Sequence, residues 1–160
     1  MAKTTKSKTT VKTTTTRKPR AAAKPASKPR VPKDTAKLIA KQAADYALEK
    51  KATHIKLLDV RSITPITDFF IICSASSDLQ VKAIAENVIV KMREEKGMSP
   101  WKSEGWDSLQ WVIIDFVDFV VHVFRDTARE FYHLERLWAD APMEAVEDKP
   151  APAKRRVKKA

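Results

Sequence analysis

At 160 residues the chain has room for one domain with a real core and hardly for two. Its net charge of +11 suggests a nucleic-acid binder, but residues 1–33 carry 11 of the 31 Lys/Arg and no acid, and residues 141–160 carry 6 against 3 acids, which leaves 14 bases and 17 acids for residues 34–140. The single cysteine, Cys73, excludes an intramolecular disulfide, and the apolar runs fall well short of the ~20 residues of a membrane helix, so no membrane association is expected.

In chain order, residues 1–33 form a low-complexity Lys/Thr/Pro-rich tail with no aromatic residue, too poor in large apolar side chains to offset chain entropy. It is expected to be disordered, either plainly solvated or a cationic arm on RNA phosphates; an acid-poor transit peptide is a third option, without the apolar stripe of a mitochondrial presequence. Residues 34–141 read as one α/β domain. Asp34 is placed to cap a helix running to about Lys51, with Leu38, Ile39, Ala43, Tyr46 and Ala47 at helical spacing. "HIKLLDV" predicts a short strand, "RSITPIT" a loop, and "DFFIICSA" a strand buried on both faces. Ser77 and Gln80 have capping-box spacing before a helix whose inward face is Val81, Ile84, Ala85, Val88, Ile89 and Met92, and Gly97 is its natural stop. A connector with a short strand near Trp101 follows. Thr127 and Glu130 resemble a second capping box, opening a last helix with a Phe131, Leu134, Leu137, Trp138 stripe. The expected order is α-β-β-α-(β)-β-β-α over a mixed sheet. Residues 142–160 are expected to be a second disordered basic tail.

The segment "WVIIDFVDFVVHVF", Trp111 to Phe124, carries two aspartates and a histidine in an apolar run. With Val117-Asp118 as a two-residue turn, Trp111 pairs with Phe124, Ile113 with His122 and Asp115 with Val120. Alternation then sorts Val112, Ile114, Phe116, Phe119, Val121 and Val123 onto a core face. Trp111, Ile113, Asp115, Val120, His122 and Phe124 fall on a mixed face that suits a partner or a partly covering element. Val-Asp is a poor hairpin turn, since such turns favour Asn-Gly.

Chemistry finds little support. Asp115 and Asp118 are spaced D-x-x-D across a strand and its turn, so a turn aspartate and a binding-face aspartate account for them better than a carboxylate pair. His54, His133 and Cys73 show no metal-ligand spacing, and Cys73 in a buried strand reads as packing. Ser77 reads as a helix cap rather than a phosphate site, because no glycine-rich loop accompanies it. No catalytic residue, cofactor or metal is expected. Trp111 is open between core and interface anchor.

The middle of the chain, about Ala36 to Ala141, resembles the ribosomal silencing factor family, also called iojap-like proteins. The resemblance is carried by "LLDV" at 57–60, "ITDFFIICSASSDLQVKAIA" at 66–85, "EGW" at 104–106, "WVIIDFVDFVVHVFRD" at 111–126 and "REFYHLERLWADAP" at 129–142. The chain departs from the family pattern at Ala75 and Val117, where Gly is usual, and at Phe69 and Phe116, where Tyr is more usual. The resemblance implies a nucleotidyltransferase-like topology without that fold's catalytic constellation. It also implies a non-enzymatic function: binding the large ribosomal subunit through large-subunit ribosomal protein fourteen and sterically blocking the small subunit when nutrients are short. Related organelle proteins act in large-subunit assembly, which is the alternative role; a nucleotidyltransferase-like enzyme using Asp115, Asp118 and the "SSD" turn is a further one. The family's contact surface includes the tryptophan that matches Trp111. Asp115, Glu104, Asp118 and His122 are the other expected partner-binding residues. The basic tails are expected to touch rRNA, a homodimer of the free protein through the mixed face is a further expectation, and bacterial cytoplasm is the expected setting.

Overall fold

The computed structural model describes residues 32–146. The elements are α1 (Lys33–Glu49), β1 (Thr53–Asp59), β2 (Phe69–Ala75), α2 (Asp78–Lys96), β3 (Lys102–Glu104), β4 (Trp111–Asp115), β5 (Phe119–Arg125), α3 (Asp126–Tyr132), α4 (Leu134–Leu137) and β6 (Met143–Val146). The strands form one mixed sheet in the order β3-β4-β5-β2-β1-β6. β2 lies at its centre, antiparallel to β1 and parallel to β5, which is why it reads as an unbroken apolar run. The expected α/β class and mixed sheet are as observed.

One sheet face is closed by α1 and α2. Ile55, Leu57, Ile71, Cys73, Val112, Ile114, Val121 and Val123 meet the alanine row of α1 and Val81, Ile84, Ala85, Val88 and Met92 of α2 in one cluster. Each fully buried Val, Ile or Phe contributes about 1.5–3 kcal/mol. Cys73 is fully enclosed, and burial pushes its thiol up to about 12, as expected of an inert packing residue. Ser77 caps α2, its hydroxyl accepting from the Gln80 N–H at 3.2 Å, and Gly97 ends the helix in the left-handed region at φ 64°. The return arm of the capping box differs from expectation: Gln80 Oε1 accepts from the Ser76 N–H instead, and its amide reaches the Lys51 carbonyl.

Four local expectations are corrected. Asp34 does not cap α1; the helix starts earlier, after Pro32, and Asp34 sits in its first turn. Of the expected inward stripe of α1, Ala43, Tyr46 and Ala47 are buried and Ile39 packs against them, joined by Ala36, Ala40 and Ala44; Leu38, about 200° from Ala36 and Ala40 at helical spacing, is instead exposed. Thr127 caps nothing, since α3 already begins at Asp126, and the last helix is two helices broken at His133, which takes a left-handed φ of 46°. The boundary at residue 141 is also too early. Met143–Val146 pair antiparallel with β1 as an edge strand, so the domain runs at least to Val146. Residues 1–31 and 147–160, most of both expected tails, lie outside the described residues.

Candidate functional site

The second face of the sheet is only partly covered. Register sets which side chains share it: Trp111 lies opposite Phe124, Ile113 opposite His122 and Asp115 opposite Val120, while β3 brings Lys102 opposite Asp115 and Glu104 opposite Ile113. The hairpin pairing is the one the alternation predicts. The six residues expected on its core face are all buried in the main cluster.

At one end of the second face, α3 and α4 fold back over the sheet. Ala128, Leu134 and Ala141 bury with Leu58, Val60, Ile72 and Phe124, and Phe70, Trp111 and Trp138 border them. Arg129 ties this cap down. Its guanidinium bonds Glu135 at 2.6 and 2.9 Å, the His54 carbonyl at 2.8 Å and Ser74 Oγ at 2.8 Å, so one side chain joins α3 to α4, β1 and β2. Only 11% of the Arg129 side chain is exposed, so this pair is not a screened surface contact.

Between the cap and the open sheet runs a chain of aromatic contacts. Trp138 meets Phe70 edge-on at 5.0 Å, and Phe70 meets His122 edge-on at 5.0 Å. His122 lies 5.8 Å from Trp111, Trp111 5.1 Å from Tyr132, and Tyr132 5.0 Å from Phe131. Trp111 also stacks on Phe124 at 4.7 Å. Phe131 is 78% and Tyr132 50% exposed, so the chain ends in solvent. Phe70, Trp111 and Trp138 are partly buried and His122 is buried, so only the Phe131–Tyr132 end of the strip is exposed.

Of the expected partner-binding residues, Trp111 is half-buried on this face, with its indole Nε1–H donated to His122 Nδ1 at 3.2 Å. His122 lies beneath it at 6% exposure, and burial pushes its pKa down to about 3, so the imidazole is neutral. Asp115 is on the same face, but its Oδ1 accepts the Val117 N–H at 2.7 Å and holds the turn. Glu104 is exposed at the sheet edge and pairs with Lys102 at 2.8 Å. Asp118 stands apart from the face, 3% exposed in the turn, where its carbonyl accepts the Asp68 and Phe69 N–H groups at 3.0 and 3.3 Å. Phe70, Tyr132 and Trp138 complete the surface and were not legible as site residues. Phe70 alternates with buried neighbours on the central strand, and the exposure of Phe131 and Tyr132 follows from a helix break that no glycine announces.

The geometry also separates the residues of the enzymatic alternative. Asp115 and Asp118 flank the turn at the end of the sheet where Phe69 pairs with Phe119. Ser77 and Asp78 follow the opposite end, where Ala75 pairs with Arg125. Six residues of strand put about 20 Å between the two groups. Ser77 is engaged as a cap, and Asp78 pairs with Arg125 and Gln110.

Comparison with known proteins places this arrangement. The family described as "Ribosomal silencing factor during starvation" matches residues 32–160. The chain is 44% identical over 107 residues to ribosomal silencing factor RsfS of Bacillus subtilis, covering 67% of this chain and 90% of that protein. It is 41% identical over 100 residues to the chloroplastic protein Iojap of Zea mays, covering 61% of this chain and 42% of that longer protein. A Chromobacterium violaceum crystal structure superposes with a TM-score of 0.62 at 34% identity, covering 76% of this chain and 95% of that one. A matching sequence, a matching fold and the hairpin's sorted faces lead to one conclusion: the chain belongs to the ribosomal silencing factor family.

Proposed function

We propose that the chain acts without chemistry, as an occluding factor. It docks by its open sheet face on the large ribosomal subunit, through large-subunit ribosomal protein fourteen, and blocks small-subunit joining. The observation that carries this is the placement of Trp111, partly buried in a row of aromatic contacts on the sheet face that the chain's own helices leave partly open. An aromatic anchor held among packed rings is the usual form of an interface hot spot. The slightly acidic domain complements a basic ribosomal protein, and the cationic termini supply contacts to rRNA phosphates. Glu104 at the rim contributes to steering rather than affinity. We place the chain in a bacterial cytoplasm because the N-terminal stretch lacks the apolar stripe of a mitochondrial presequence, with an organelle as the alternative that the chloroplastic and mitochondrial relatives keep open. Among the described residues no helix is long and apolar enough to cross a membrane.

The test is a subunit-joining assay with and without saturating protein, beside co-sedimentation with isolated large subunits. Joining should be suppressed, and Trp111→Ala should weaken large-subunit binding by about 2–4 kcal/mol, roughly 30- to 1,000-fold, with the fold intact. Unimpaired joining at saturation refutes the occlusion mechanism.

A further inference from the structure

His122 is a costly residue for its position. Its neighbours on the same strand face, Val120 and Phe124, are apolar, and Phe70, Trp111 and Phe124 lie around its ring. An indole N–H only donates, so the contact with Trp111 Nε1 makes His122 Nδ1 the acceptor and leaves the proton on Nε2. That Nε2–H is buried with no hydrogen-bond partner among the described residues. An unsatisfied buried donor is destabilising, and an apolar side chain here would avoid the cost. What the imidazole has and an apolar side chain lacks is the Nδ1 lone pair, and Trp111 uses it.

We infer that His122 is a positioning residue, one that never touches the partner but holds the indole of Trp111 in its docking orientation. This rests on Trp111 being the docking anchor. Trp111 is the diagonal cross-strand neighbour of His122, since Phe124 is directly opposite Trp111 and Ile113 directly opposite His122. Stacking on Phe124 and contact with Tyr132 restrain the plane of the indole but do not distinguish its two flipped orientations. The hydrogen bond does, because only one of them brings Nε1–H to Nδ1. Fixing the ring before docking removes an ordering cost that the complex would otherwise bear.

The experiment is a double-mutant cycle read by equilibrium binding to isolated large subunits. His122→Leu removes the acceptor while filling the site, and His122→Asn keeps an oxygen near the place of Nδ1. Trp111→Phe removes the donor but keeps a ring. His122→Leu should weaken binding roughly three- to tenfold, and His122→Asn should recover most of that loss. In the Trp111→Phe background, His122→Leu should change affinity less than twofold. Equal losses in both backgrounds, or wild-type affinity for His122→Leu, overturn the assignment. A second readout needs no ribosome: the Trp111 indole N–H resonance of the free full-length protein. Its proton should exchange with solvent at least tenfold more slowly in wild type than in His122→Leu, with thermal melts confirming that both are folded. If wild type fails to bind large subunits, the docking proposal falls, while exchange still decides whether His122 holds the ring; equal exchange rates overturn that.

Discussion

Val117 occupies a backbone conformation that a β-branched side chain rarely adopts, at φ 76°. With the Asp118 N–H donated to the Phe116 carbonyl at 3.0 Å, it is the centre of a γ-turn of positive φ, which costs of order 1–3 kcal/mol. The surroundings compensate: Asp115 Oδ1 accepts the Val117 N–H, and the Asp118 carbonyl accepts two N–H groups from the start of β2. Glycine relaxes the strain at some cost in unfolded-chain entropy. Val117→Gly should therefore raise stability by ~1 kcal/mol, seen as a higher denaturant midpoint at unchanged slope; a lower midpoint contradicts the strain. His122 makes a second residue-scale prediction. Its pKa is near 3 when folded, because burial disfavours the charged ring, against an ordinary value of 6.5. Between those values the unfolded chain binds a proton that the folded one refuses, so stability falls as pH drops below about 6.5. From pH 6.5 to 4.5, wild type should lose ~2 kcal/mol more than His122→Leu in parallel urea titrations. Identical pH profiles would show that the buried imidazole is not the cause.

At the scale of elements, the hairpin was legible and the last helix was not. Period-two alternation in β4 and β5 sorts six apolar side chains onto one face, and the two-residue turn at Val117-Asp118 then sets the register, so pairing followed from pattern and turn length together. The α3–α4 segment has helical spacing throughout, but His133 breaks it, and Phe131 and Leu137 end 78% and 77% exposed. The break lets Leu134 turn inward while Arg129 reaches Glu135, a long-range choice that local spacing does not encode. Gly105 shows the same dependence on context. A Cβ there would lie 1.9 Å from the Trp111 carbonyl oxygen, so the "EGW" connector needs glycine to pass against the strand that carries the anchor. Edge strand β6 escaped notice because four mostly exposed residues before a basic tail carry almost no hydrophobic signal.

At the scale of the molecule, charge and shape are divided between parts. The acidic middle supplies a folded surface, and 17 of the 31 basic residues lie in the terminal stretches 1–33 and 141–160. If residues 1–33 hold rRNA phosphates, removing them releases fewer counterions on binding, with the logarithmic salt slope falling by about 0.7–0.9 per lost contact. Titrating large-subunit affinity against salt for the full chain and for the chain lacking residues 1–33 checks this; an unchanged slope removes the arm from the interface. The sequence by itself determined the class, the central strand, the two faces of the hairpin and the family, because periodicity and motif order are local properties that survive without a fold. Only the tertiary structure decided that Trp111 is neither core nor free, but held half-buried between Phe124, Tyr132 and His122. That outcome depends on how far α3 and α4 extend over the sheet, and coverage is set by packing between segments distant in the chain.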